Sequence, residues 1–225
     1  MNRLAKAMLG ISLIGMSAGA ILSRKPDLES YATIAPRIDY SAERQAQRKV
    51  IVVNAERLLG RPEFSQENPD SVSCIDVFVR SACGLEERLK DDYNHLAHPE
   101  KRYASIDLRV PVYVANAKAI FGNDFQNTPD NPFFTRRIQN VLRYQQANGL
   151  FFKPEEQTPR PGMIVYWRRL INDFPTHAGV VAKTNGNEIT EVIHASTSKG
   201  EVVRCPAQTI ADAGYAVYGF GDAPK

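Results

Sequence analysis

Cysteine is scarce in this chain of 225 residues: there are three, and none stands in a Cys-x-x-Cys pair. That excludes a disulfide-dense scaffold and argues against a structural zinc site built on paired thiols. An excess of one charge is also missing. Lys and Arg number 28 against 25 Asp and Glu, a net charge of +3. Arg3, Lys6, Arg24 and Lys25 all precede the first acid, Asp27, so the body of the chain is close to neutral. Nucleic acid is therefore not the main partner, because phosphate binding needs clustered Lys and Arg. There is no internal repeat and no low-complexity tract. What remains, 43% apolar with 14 Gly and 14 Pro, is ordinary globular composition.

The first residues read as an address. Residues 1–6 are short and basic, residues 7–22 carry no charge, and Ala18-Gly19-Ala20 offers a small-x-small cleavage site. Ser23, Arg24 and Lys25 follow at once, so residues 1–23 are either a cleaved signal peptide or an uncleaved anchor. In the second case residues 7–22 would tether the body to a membrane. Both readings predict an exported protein, in the periplasm or cell envelope. Residues 24–41, with Pro26 and Pro36, read as a linker.

Residues 42–225 read as helices first and strands second, which predicts an α+β domain. Helices are expected over Ala42–Leu59, Cys74–Leu89, Val112–Phe121 and Thr135–Asn148, the last with Thr135 as N-cap and Gly149 as stop. An insert is expected at about 90–134, with a turn region at Asn127–Pro132. After Pro161-Gly162 come five β-rich runs: Met163–Trp167, His177–Lys183, Glu188–His194, Glu201–Arg204 and Ala216–Phe220. Short loops between them predict an antiparallel meander.

The Asn185-Gly186 pair is a strong hairpin signal. If those two residues are the whole loop, His177 lies directly opposite His194, with Cβ atoms about 5 Å apart. Two of only four histidines would then meet. A thiol nucleophile needs an imidazole beside it, and the imidazole needs a third group to hold its tautomer. Cys74 opens a predicted helix, where the dipole and the free N–H groups lower a thiol's pKa. Cys74, His177 and His194 are the candidate catalytic set. Cys83 and Cys205 could pair in an oxidising compartment and leave Cys74 free.

These residues resemble the NlpC-type cell-wall cysteine peptidases, a papain-like superfamily. The resemblance lies in Pro161-Gly162-Met163-Ile164-Val165-Tyr166-Trp167, then Thr176-His177-Ala178-Gly179, then His194-Ala195-Ser196. Cys74, in Ser73-Cys74-Ile75-Asp76-Val77, matches the family's nucleophile position. The chain is also similar to an exported bacterial branch of that superfamily, with Cys-Thr-Asp-Val at the nucleophile and a longer insert. The branch's Arg-Arg-x-x-Asn-Leu helix reads Arg136-Arg137-Ile138-Gln139-Asn140-Val141 here. The resemblance covers roughly 51–221. Met163 stands where the family has the aspartate of Pro-Gly-Asp.

The resemblance implies a papain-like fold, N-terminal helices packed on a C-terminal sheet of about five antiparallel strands. It implies a Cys74–His177–His194 triad, an acyl-enzyme, and peptidoglycan stem peptides as substrate, with no cofactor. Ser73, Asp76, Arg136, Arg137 and Trp167 are candidate substrate contacts. Each also has a plainer reading: Ser73 and Asp76 as helix-start residues, the arginines as a solvated face, Trp167 as core. His95 and His98, near Asp91 and Asp92, are too loosely spaced for a metal site. The rivals are a catalytically silent envelope protein of the same fold and a thiol acyltransferase. The sequence leaves the oligomeric state open.

Overall fold

The computed structural model describes residues 42–64, 70–103, 118–119, 122, 126–171 and 174–224. The address, the linker and most of the predicted Val112–Phe121 helix lie outside these residues. Helix α1 spans Ala42–Glu56, close to expectation. Its buried side is Arg44, Arg48, Ile51 and Ala55, a stripe with helical spacing that mixes cations with apolar residues. Both arginines meet Asp222 near the other end of the chain. Arg48 Nε donates to Asp222 Oδ1 at 3.0 Å, and Arg44 Nε lies 3.9 Å from Asp222 Oδ2.

The predicted Cys74–Leu89 helix is in fact two: α2, Asp76–Ser81, and α3, Leu85–His95. Gly84, at φ +76°, breaks them. That left-handed backbone suits glycine and cannot continue a helix. A short helix α4, Pro99–Arg102, follows. The predicted Thr135–Asn148 helix begins later, as α5 over Ile138–Ala147. Thr135 sits in a 3-10 turn, Phe134–Arg136, so the residue before α5 is Arg137 and not the expected Thr135. Gly149, at φ +64°, ends the helix as expected.

The sheet has six antiparallel strands: β1 Phe151–Phe152, β2 Ile164–Arg169, β3 His177–Asn185, β4 Glu188–Ser196, β5 Glu201–Pro206 and β6 Tyr215–Gly221. Their order is β1-β6-β2-β3-β4-β5. The meander holds for β2 to β5. The last strand departs from it, returning past helix α6 (Ala207–Asp212) to the open edge of β2. This is the α+β architecture expected, with one more strand and one crossover.

The period-2 alternation of β2 and β3 separates two faces. Ile164, Tyr166, Ala178 and Val180 face the helices and join Ile51, Ile75, Phe78 and Phe134 in the main core. Val165, Trp167, Val181 and Val192 face the other way and are covered by Ile210 of α6. Two contacts set where β3 and β2 begin. Gln139 of α5 donates to Pro175 O at 2.8 Å. Gly162, at φ +88°, turns the chain into β2, and a Cβ there would lie 2.6 Å from Arg48 Cα of α1.

Candidate active site

The hairpin between β3 and β4 turns on Gly186-Asn187, one residue later than the sequence suggested, because Asn185 pairs with Glu188. His177 and His194 are therefore not directly opposite. They are diagonal neighbours on one face, and long rings reach across a diagonal. His177 Nε2 lies 2.9 Å from His194 Nδ1, with the rings edge to face at 89°. Gly179 makes this contact sterically feasible. A Cβ on it would stand 3.0 Å from His194 Cβ, 2.9 Å from Ile193 O and 3.2 Å from the Trp167 ring.

Both histidines sit on the face away from the main helices. His177 stacks on Trp167, centroids 5.6 Å apart, and lies 5.5 Å from the Tyr215 ring. Trp167 and Tyr215 also line a groove of about 610 Å³, together with Ile189, Ala207, Val217 and Phe220. Trp167 thus belongs to the core, at 3% exposed, and also lines the groove.

Cys74 comes from the helical side. The β3–β4 ladder begins only at Val180 and Ile193, so the backbone N–H of Ala178 is not used by it. That N–H contacts the Cys74 sulfur. The thiol thus reaches the sheet one residue from His177, at the point where two strands part. Cys74 and His177 share no hydrogen bond among the described residues.

The turn that carries Cys74 is tightly tied. Ser73 N–H donates to Asp76 Oδ2 at 2.8 Å, and Asp76 N–H donates to Ser73 Oγ at 3.3 Å. This reciprocal pair has the logic of a capping box. Asp76 Oδ2 also accepts from Arg136 Nε at 2.7 Å, while Arg136 Nη2 donates to Ser71 O at 2.8 Å. The Arg136 guanidinium lies 4.5 Å from the Phe64 ring centre. Of the expected substrate contacts, Ser73, Asp76 and Arg136 thus have partners within the protein. Asp76 and Arg137 are buried, and Arg136 and Ser73 spend their polar atoms on holding the Cys74 turn.

A correction concerns the thiol. Helix α2 starts at Asp76, two residues past Cys74, and has six residues. Burial pushes the Cys74 thiol up to about 12, the nearby Asp76 charge adds to this, and the Ala178 amide opposes it. The residue is partly exposed as a whole, but its sulfur faces protein, and the sulfur's surroundings decide the shift. Burial, then the neighbouring His194, push His177 down to about 3. Burial also lowers His194, against the Ala195 carbonyl, whose oxygen lies 3.1 Å from Nδ1. All three shifts favour the uncharged forms of the thiol and the two imidazoles.

Sequence reasoning missed Cys205. Its sulfur lies 3.4 Å from His194 Nε2. Cys83 is exposed beside Asn54, so Cys83 and Cys205 form no disulfide; all three thiols are free. The signal was available in the strand pattern, since Cys205 falls on the same face of β5 as His194 does of β4. His95 bonds Asp91 O and His98 faces Glu100, both exposed, and no cluster able to hold a metal occurs among the described residues.

No protein-family model matches the chain, and no curated protein does. Solved structures do. One is NlpC1 from Trichomonas vaginalis, 13% identical, with 82% of this chain and 46% of that chain covered and a TM-score of 0.40. This chain thus spans less than half of that protein's length. Another is an N-acetylmuramoyl-L-alanine amidase from Bacteroides uniformis, 13% identical, covering 80% of this chain and 100% of that one, with a TM-score of 0.41. A second structure so described from that organism is 14% identical, with the same coverage and a TM-score of 0.38.

Proposed function

We propose that the chain is an exported thiol hydrolase that cleaves an amide bond in peptidoglycan stem peptides. The observation that carries this reading is the His177–His194 pair at 2.9 Å, with Cys74 sulfur on the amide of the residue next to His177. In this reading Cys74 attacks the amide carbonyl carbon and the C–N bond breaks. His177 takes the thiol proton on Nδ1 and returns it to the leaving amine. His194 orients His177 through Nε2. The Cys74 backbone N–H helps to hold the oxyanion. Water then attacks the thioester carbon, His177 accepts its proton, the C–S bond breaks, and the proton returns to the Cys74 sulfur.

The resting site is uncharged, so the thiolate forms only as His177 becomes imidazolium, each charge stabilising the other. The groove beside Trp167 and Tyr215 would receive part of the peptide. The substrate class and the export rest on the motifs around Cys74, His177 and His194 and on residues 1–23.

A second reading, a silent envelope protein that binds peptidoglycan, draws on one observation: Cys74 is neutral and unbonded to His177. Soluble muropeptides and isolated sacculi, incubated with the protein and with Cys74→Ala, separate the two by mass spectrometry. A product formed by the wild type alone supports the hydrolase, and its mass names the bond. Binding without product from either form supports the silent protein. Transfer to an added amine would identify an acyltransferase.

A further inference from the structure

His177 has two ring nitrogens and one is committed. Nε2 faces His194 Nδ1 at 2.9 Å, while Nδ1 has no hydrogen-bond partner among the described residues. If His177 is the base, as the proposed function holds, Nδ1 must carry a lone pair. The ring proton then sits on Nε2 and points at His194 Nδ1. His194 Nδ1 must accept it, so the His194 proton must sit on Nε2.

Two groups compete for the His194 proton. On the Nδ1 side the Ala195 carbonyl oxygen lies at 3.1 Å and favours the proton there. That tautomer would make Nδ1 a donor to His177 Nε2, and the His177 proton would move to Nδ1. The base would then be blocked. On the Nε2 side the one hydrogen-bonding neighbour among the described residues is Cys205 Sγ, at 3.4 Å, within N–H···S range. His194 is 5% exposed, so water does not replace that acceptor readily. A buried N–H left without an acceptor is destabilising.

We propose that Cys205 is a positioning residue: its sulfur accepts the His194 Nε2 proton, which fixes the tautomer of both histidines and leaves His177 Nδ1 open to take a proton. The inference rests on the reading of His177 as the base. It gives the face away from the helices a part in the chemistry of a thiol that arrives from the helical side. The relay runs from Cys205 on β5, through His194 on β4, to His177 on β3. Serine can do the same work, because its hydroxyl also accepts. Alanine cannot.

The test uses the full chain labelled with 15N-histidine, as wild type, Cys205→Ser and Cys205→Ala. NMR reads the tautomers near pH 7.5, and peptide-resolved alkylation reads the reactivity of each thiol. The expected result is a proton on Nε2 of both histidines in the wild type and in Cys205→Ser. In Cys205→Ala it moves to Nδ1, and alkylation of Cys74 slows by about tenfold or more. A wild-type His194 protonated on Nδ1 would overturn the inference. So would an unchanged tautomer in Cys205→Ala, or alkylation of Cys205 ahead of Cys74, which would make Cys205 the thiol that the pair serves. A Cys205-dependent tautomer in a protein that cuts no muropeptide would sink the proposed function and leave this inference standing.

Discussion

Gly179 and His194 face each other across the parted ends of β3 and β4 so closely that a Cβ on Gly179 would stand 3.0 Å from His194 Cβ. The same atom would meet Ile193 O at 2.9 Å, a backbone atom that cannot turn aside. Gly179→Ala is therefore expected to cost about 1–3 kcal/mol, the usual range for overpacking. It should also push His194 out of reach of His177. Denaturant unfolding measures the first effect. Loss of the His177–His194 hydrogen bond in the NMR spectrum measures the second.

Acid should destabilise the fold through the histidine pair. His177 falls from an ordinary 6.5 to about 3, and His194 is shifted the same way. Between those values the unfolded chain binds a proton that the folded chain refuses, so stability rises with pH there. The contribution is fully present above about 6.5 and is lost as pH falls toward 3. Urea unfolding from pH 7.5 to 4 should show a steeper loss for the wild type than for His177→Gln. Parallel curves would contradict the assignment.

The Asp76–Arg136 pair should behave as structure, not as a substrate grip. Removing one partner leaves the other charged and largely buried, a loss of about 3–5 kcal/mol. Asp76→Ala should thus lower the midpoint of unfolding sharply, with strong coupling to Arg136→Ala in a double-mutant cycle. An Arg136→Lys variant of unchanged stability but raised KM would instead make Arg136 a substrate contact.

Trp167 should act on His177 through packing. Trp167→Ala is expected to cost about 3–5 kcal/mol as a large core truncation. Trp167→Phe, which keeps a ring against His177, should restore most of the stability and of the peptide cleavage rate. Thermal unfolding and muropeptide turnover check the two effects.

Much of this was legible in the sequence, for reasons that differ by element. The five β runs stood out because Val, Ile and aromatics alternate between Gly and Pro turns. The meeting of His177 with His194 was legible as well, since a one-residue shift of the turn moves the register by two and preserves the face. The return of β6 to β2 was not legible, because adjacency in sequence says nothing of a crossover. The break at Gly84 was hidden by apolar spacing that runs on through it. The charge on the buried side of α1 was hidden too, since Arg44 and Arg48 find their partner, Asp222, at the far end of the chain. The lowered pKa expected for Cys74 failed because burial outweighs the field of a six-residue helix that starts two residues on.

In the proposed reaction Cys74 carries the acyl group. The most direct measurement is to quench the protein with acid during turnover of a muropeptide, digest it and map the added mass to a peptide. The expected result is the stem-peptide acyl group on the peptide containing Cys74, absent in Cys74→Ala and in His177→Ala. An adduct on the peptide containing Cys205, or turnover that persists in Cys74→Ala, would contradict it.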